Sequence, residues 1–266
     1  MERVIHGGQP PYYRFASLAG ERVIQAVLTR QGGVSQPPYD SLNVGRTVGD
    51  APGAVGRNLD RALSTVGAAP ERLVTAQQVH GDRVAIVRAA DAGHTIPASD
   101  GLASDTVGLV LLLRFADCVP LLFYAPDREV VAIAHAGWRG TEQGIAARTV
   151  ALLREAFGCE PAALRVGIGP SIGPCCYEVG AEVYAPMGQR FGAASGVVAA
   201  PHAPGKARLD LWRANALQLE ESGVRQIEAA GICTCCHRDE FFSHRGDLGR
   251  TGRFAALIGL RPATEE

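Results

Sequence analysis

The sequence predicts a mixed α+β fold. Runs with strand character outnumber those with a helical period. Several strand runs are joined by turns too short to hold a crossover helix, and strand and helix do not alternate as a doubly wound sheet requires. The 266 residues are 47% apolar, which suffices for one large domain or two small ones and excludes global disorder. No solenoid-length repeat and no linker composition interrupts the chain, so residues 1–266 read as a single domain.

In chain order, Met1–Leu18 is aromatic and Pro-rich without a period and receives no assignment. Arg22–Thr29 (RVIQAVLT) reads as a strand. Gln31–Asn43, with paired Gly and paired Pro, is a loop that carries Asn43 and Arg46 towards whatever it covers. Asp50 or a neighbour caps a helix through Val55–Val66, where Val55, Leu59, Leu63 and Val66 fall at helical spacing. Leu73–Val79 and Arg83–Arg88 read as strands around the turn His80–Asp82, which sets His80 at a strand end. Ala89–Asp105 is a Gly/Pro/Asp-rich loop, and Val107–Phe115 is a buried strand.

The next stretch, Ala116–Gly140 (ADCVPLLFYAPDREVVAIAHAGWRG), organises the rest. Cys118 opens the apolar run Val119–Tyr124, and His135 closes the run Val130–Ala134. The turn Ala125–Glu129 between them makes two adjacent strands, with Cys118 and His135 towards the same end. Thr141–Phe157 reads as a helix with Ile145, Thr149, Leu152, Leu153 and Ala156 on one face. Leu164–Ile168 is a strand, followed by the tight loop GPSIGPCCYEVG. Glu178–Phe191 reads as helical, Gly192–Lys206 as small, polar and exposed, Leu211–Ser222 as a helix and Val224–Ala229 as a strand. The tail from Cys233 reads as a loop, a short helical piece, a basic loop and a last strand.

The net charge is −1 and the pI about 6.7, so neither nucleic acid nor an anionic membrane surface is an expected partner. A small anion could still meet a local basic cluster. The apolar run Leu109–Leu113 stops at Arg114, far short of the ~20 residues of a membrane span. The start, MERVIHGGQPPYYRF, has no apolar core of a signal peptide, and a cytoplasmic location is expected. Seven cysteines are an odd number in a chain of this length, which points away from a disulfide framework and towards metal or thiol chemistry.

Several constellations could carry chemistry. His80, Cys118 and His135 offer two imidazoles and a thiolate at strand ends, a set suited to catalytic zinc with three protein ligands and one open position. Spacing alone leaves the plainer reading open, since a free Cys is more often a buried small hydrophobe and the imidazoles would then be ordinary packed or surface groups. Gly137–Gly140 (GWRG) comes just after, where the glycines permit close approach of a ligand, Arg139 could neutralise an anion, and Trp138 could simply pack. Cys233, Cys235, Cys236 and His237 contain a single CxxC, and a closed zinc ribbon would need ligands from elsewhere. No βαβ pattern supports a redox motif, so these read as incidental thiols, and the adjacent Cys175–Cys176 pair has no standard ligand spacing. The basic tail, with His244, Arg245, Arg250 and Arg253, is either an anion site or a solvated loop. Walker A and the HxE…PCxxC deaminase pattern are absent.

Taken together, TRQGGVSQPPYDSLNVG, QQVHGDRV, ADCVPLLF, AHAGWRGT, GPSIGPCCYEVG, FFSHRGD and TGRFAALIGL run in order over about Thr29–Leu260. In that combination the chain resembles the laccase-domain family, YfiH-like or multicopper polyphenol oxidase-like, regarded as purine nucleoside phosphorylases. The resemblance implies a cytoplasmic enzyme with a four-layer α/β/β/α sandwich, acting as a monomer or small homo-oligomer. It implies a Zn2+ site at His80, Cys118 and His135, with copper the lesser alternative. It also implies phosphorolysis of adenosine, inosine, guanosine and methylthioadenosine, together with adenosine deamination. Asn43, Arg46 and Arg139 are expected near purine nucleoside or phosphate. Cys118, His135 and Asp117 are the catalytic candidates, Asp117 as a general acid/base or as an orienting group. Cys235 and His237 match nothing in the family pattern. Three rivals stand beside this reading. One is a copper polyphenol oxidase, for which seven His without a His-x-His pair are a poor supply. Another is a cell-wall precursor editing amidase with Cys118 as nucleophile and His135 as base. The third is a non-enzymatic zinc-stabilised binding module.

Overall fold

A computed structural model describes residues 1–199 and 205–262. The chain begins with β1 (Glu2–Val4), β2 (Tyr12–Arg14) and β3 (Val23–Leu28), then α1 (Pro52–Thr65), β4 (Leu73–Ala76), β5 (Val84–Ile86), β6 (Thr95–Ile96) and β7 (Gly101–Ser104). The centre is β8 (Val110–Phe115), β9 (Val119–Ala125), β10 (Val130–Ala136), α2 (Trp138–Gln143) and α3 (Ile145–Phe157). There follow β11 (Arg165–Ile168), β12 (Glu178–Gly180), α4 (Ala181–Phe191), β13 (Val198–Ala199), β14 (Lys206–Leu209), α5 (Leu211–Glu221), β15 (Gln226–Ala229) and β16 (Phe254–Leu260).

One seven-stranded sheet has the order β1-β2-β3-β16-β8-β4-β6, and a six-stranded sheet the order β15-β11-β9-β10-β7-β5. Successive side chains of a strand point to opposite faces, and here both faces are used. Leu111, Leu113, Phe115, Phe254 and Ile258 of the first sheet meet Leu122 and Ile133 of the second. On the far side of the first sheet, Ile24, Leu28, Leu112 and Leu257 pack on Leu59, Ala62 and Leu63 of α1. On the far side of the second, Leu121, Phe123, Ala132 and Ala134 pack on Ile145, Val150 and Leu153 of α3 and Leu219 of α5. The result is a four-layer α/β/β/α sandwich, and burial on both faces explains why β8, β9 and β10 are near-continuously apolar.

Several elements differ from the sequence expectation. Met1–Leu18 supplies the edge strand β1 and its neighbour β2, which pairs on to β3. Helix α1 begins at Pro52 with Ala51 at its N-cap and no side-chain cap, because proline's fixed φ starts the helix and Asp50 is spent elsewhere. The strands flanking His80–Asp82 are not a hairpin: β4 pairs with β8 in one sheet and β5 with β7 in the other, so the turn crosses between layers. Within Ala89–Asp105, the fully buried β7 (GLAS) was hidden by residues selected for smallness between β5 and β10, not for strand propensity. The helix expected over Thr141–Phe157 starts earlier and breaks at Gly144, whose φ of 93° separates α2 from α3. Ala156 is exposed and does not share the buried face. Glu178–Gly180 is a strand before α4 begins. Gly192–Lys206 contains β13 and a fully buried Val197; the part of it at 200–204 lies outside the described residues. The tail between Cys233 and β16 is turns, without the short helix.

For the site, the decisive register is β9 against β10. His135 pairs with Pro120, which brings Cys118 and His135 to one end of the sheet.

Candidate metal centre

His80, Cys118 and His135 converge, with their ligand atoms all within 4.8 Å of one another and Cys118 Sγ 4.0 Å from His80 Nδ1. The two imidazole rings meet edge to face at 4.8 Å. A tetrahedral ion with bonds of about 2.0–2.3 Å holds its donors about 3.3–3.8 Å apart, so a small closure completes the shell. Room for the ion is built into the backbone. A Cβ on Gly137 would lie 3.0 Å from His80 Nδ1 and 3.1 Å from Cys118 Sγ, crowding two of the three donors. The donor set and this cradle fit a metal with three protein ligands.

Asp100 holds the ligands in place, and nothing in its loop sequence announced it. Its fully buried carboxylate accepts four hydrogen bonds: from His135 Nδ1 at 2.9 Å and His80 N at 3.0 Å on Oδ1, and from Val79 N at 3.0 Å and Gly81 N at 2.8 Å on Oδ2. Burial works to raise its pKa, but the bonds from His135, Gly81 and Val79 outweigh that and hold it below the ordinary carboxylate value. The ionised Asp100 therefore accepts the hydrogen bond of His135 Nδ1–H and leaves Nε2 for Cys118 or a metal, the carboxylate–histidine–metal arrangement. The same bonds keep His80 in the left-handed region at φ 60°, where a non-glycine residue needs external support. Asp100→Asn replaces one acceptor oxygen by an amide facing two N–H donors. Metal affinity measured by chelator competition should fall about 10–100-fold.

Burial would raise the Cys118 thiol, yet the charge of His135 and hydrogen bonds from His135 and His80 bring it down to about 6. Burial would lower His135, yet the Cys118 charge and the bond to Asp100 raise it to about 9. Without metal the two form a thiolate–imidazolium pair at neutral pH. Metal must displace the His135 proton, so apparent affinity should climb about tenfold per pH unit from neutrality and level off above about pH 9. Chelator competition across that range, with proton release followed in parallel, checks both the slope and the plateau.

The three ligands open onto a cavity of about 690 Å³, in the range of small-molecule sites. Its other walls are basic: Arg46, Arg114, His244, Arg245 and Arg253 all line it. Arg114 is the anchor of that wall. Its Nε donates to Val44 O at 2.8 Å and its Nη1 to Thr75 Oγ1 at 2.7 Å, while its buried Nη2 has no partner. Burial and the neighbouring Arg46 push it down to about 10, so it stays charged at neutral pH. An unpartnered guanidinium nitrogen beside a second cation is a place for an anion. The lone charge at the end of the apolar run Leu109–Leu113 was the sequence signal for it.

The remaining candidates divide. Arg46 is on the cavity wall. Asn43 is not: it is fully buried, with Nδ2 donating to Asp50 Oδ2 and Gly45 O and Oδ1 accepting from Gly45 N and Arg253 N. It ties the Arg46 loop to Arg253 and does not reach the cavity. Arg139 is exposed on α2, its guanidinium 4.5 Å from the Trp138 ring, and is not among the lining residues. Asp117 lines the cavity, but its carboxylate is engaged by Thr234 Oγ1 at 2.7 Å, Ser243 Oγ at 2.7 Å and Arg245 N at 2.6 Å. Of the basic tail, Arg250 is absent from the lining and the other three are present. Cys233 and Cys236, read as incidental thiols, gather in one place with Cys175 and Cys176, without Cys235 or His237.

Comparison with known proteins adds an independent finding. The family model described as multi-copper polyphenol oxidoreductase laccase matches residues 24–261. Purine nucleoside phosphorylase YlmD of Geobacillus stearothermophilus is 40% identical over 263 residues, covering 96% of this chain and 93% of the relative. Purine nucleoside phosphorylase PA4543 of Pseudomonas aeruginosa is 37% identical over 243 residues, covering 91% of this chain and 96% of the relative. The crystal structure of YlmD from Geobacillus stearothermophilus superposes with a TM-score of 0.92 at 38% identity, over 98% of this chain and 99% of that one. That of the Bacillus licheniformis hypothetical protein YfiH gives 0.87 at 38% identity, over 90% and 93%.

Proposed function

The chain belongs to the family described as multi-copper polyphenol oxidoreductase laccase, and on that footing we propose that it is a zinc-dependent purine nucleoside phosphorylase with adenosine deaminase activity. Adenosine, inosine, guanosine and methylthioadenosine are its proposed substrates, and the cytoplasm its proposed location. Relatives named purine nucleoside phosphorylase support the reaction class. The observation that carries it is one cavity in which three metal donors face a wall of arginines with a spare, buried Arg114 Nη2.

His80, Cys118 and His135 would hold the metal, which when bound supplies Lewis acidity at an open coordination position. Arg46, Arg114 and Arg253 bind phosphate, neutralise its charge and hold it for attack on C1′ of the nucleoside. Ordering two reactants in one cavity removes the entropic part of the barrier. Tyr177, also on the wall, offers an aromatic surface to a purine. Asp117, held by three donors, fixes the wall that carries Arg245. Deamination uses the same cavity with water in place of phosphate: water adds at C6 of adenine and ammonia leaves, giving inosine.

Zinc is proposed over a multicopper centre because such a centre needs many imidazoles, and among the described residues none beyond His80 and His135 joins this donor group. Copper carried through purification would not decide the matter, since divalent affinity rises from zinc to copper at most sites. One observation favours a second reading. The Cys118–His135 ion pair is the arrangement of a thiol hydrolase, and a cell-wall precursor amidase would use it without metal. Adenosine as sole substrate separates the readings. With phosphate, adenine and ribose 1-phosphate should form; without it, inosine alone. Amide cleavage that survives zinc removal, with adenosine untouched, would favour the hydrolase.

A further inference from the structure

The loop after β11 carries Cys175 and Cys176, and the loop after β15 carries Cys233 and Cys236. β11 and β15 are parallel neighbours, and their pairing extends beyond the strands through a bridge between Ser171 and Cys233. Ser171 N donates to Ile232 O at 3.2 Å and Thr234 N to Ser171 O at 3.0 Å, which locks the two loops side by side. Gly173 is required where they touch: a Cβ there would lie 3.2 Å from Cys233 Cβ and closer still to Trp212. Two cysteines from each loop are thereby delivered to one point.

The four Sγ atoms lie within 4.8 Å of one another, with Cys236 Sγ 3.6 Å from Cys175 Sγ and 3.5 Å from Cys176 Sγ. Bonds of about 2.3 Å from zinc to sulfur place the sulfurs of a tetrahedron about 3.8 Å apart. The observed spacing is thus that of a tetrahedral edge, well beyond the ~2.05 Å of a sulfur–sulfur bond, and every cysteine is a free thiol. We propose that Cys175, Cys176, Cys233 and Cys236 form a second metal site, a closed tetrathiolate that takes zinc as a structural ion. The environment suits the net negative charge of such a centre. Gly173 N donates to Cys233 Sγ at 3.2 Å, and the Arg208 guanidinium donates to the carbonyls of Pro174 and Cys175. Cys175 and Cys236 are exposed, so the ion has an entry path.

Four protein sulfurs leave no open position, so this ion does no chemistry. It clips two loops that frame the cavity. Tyr177, next to Cys176, lines the wall, and Thr234, next to Cys233, donates to Asp117 beside the ligand Cys118. The clip positions one side of the cavity without touching substrate.

Metal content of the full chain tests this. The protein is purified under reducing conditions, loaded with zinc and dialysed. Wild type should hold two zinc per chain, Cys118→Ala one, Cys236→Ser one, and the double variant none. Cobalt loaded into Cys118→Ala should give the sulfur-to-metal charge-transfer and intense tetrahedral bands of a tetrathiolate, and Cys236→Ser should remove them. Should Cys236→Ser not fold, the cobalt spectrum of Cys118→Ala decides by itself. One zinc in wild type and none in Cys118→Ala would overturn the proposal. So would a thiol titration of denatured, metal-free protein in which two of the seven thiols appear only after reductant is added, which would make the cluster a disulfide.

Discussion

Cys118→Ala is expected to release the metal from the His80–His135 pair and to lower phosphorolysis of inosine by about 10³-fold, the several kcal/mol that a Lewis-acid metal contributes to a charged transition state. Two imidazoles are a poor shell for zinc without the thiolate. The loss is also not a local truncation, because the Cys118 charge is the main influence that raises His135 against the effect of burial. Cys118 is half-buried at the mouth of β9, so its removal leaves the sandwich core in place. Initial rates at saturating phosphate, with metal content on the same samples, provide the check. A variant that lacks this metal and turns over inosine at the wild-type rate would separate the chemistry from the centre.

Arg114→Met should raise the KM for phosphate by about 100-fold while moving that for inosine only a few-fold. Charge-assisted hydrogen bonds are worth about 1.5–3 kcal/mol each when a buried partner is lost. Arg114 lines the cavity and keeps a buried Nη2 without a hydrogen-bond partner. Its other two groups hold Val44 O and Thr75, so some stability is lost too, and thermal unfolding must be followed beside the kinetics. The contrast in the two KM values is the discriminating readout, because a general loosening of the wall would raise both.

The sequence made the core of the centre legible for a physical reason. A short turn between two antiparallel apolar runs fixes their register, so Cys118 before one and His135 at the end of the other had to meet. His80 was legible as a turn residue, but not the change of sheet at that turn, which depends on the partners of β4 and β5. Asp100 could not be seen, since its four bonds go to residues about 20 and 35 positions away and its own loop carries only turn composition. Asn43 and Arg139 sit beside site residues in the chain, yet one is buried in a loop knot and the other stacks outward on Trp138. The four thiols escaped recognition because no spacing rule links Cys175 to Cys236, 61 residues on. The β11–β15 pairing brings them together. The layer order of the sandwich came from the resemblance to a family, and the separate cores on each side of the two sheets bear it out.

The most direct measurement is product formation from inosine as phosphate is titrated, with hypoxanthine, ribose 1-phosphate and free ribose quantified together in the zinc-loaded protein. The account predicts no hypoxanthine without phosphate, and equal amounts of hypoxanthine and ribose 1-phosphate with it. Hypoxanthine appearing with free ribose at a rate indifferent to phosphate, or no cleavage at all with the metal bound, would contradict it.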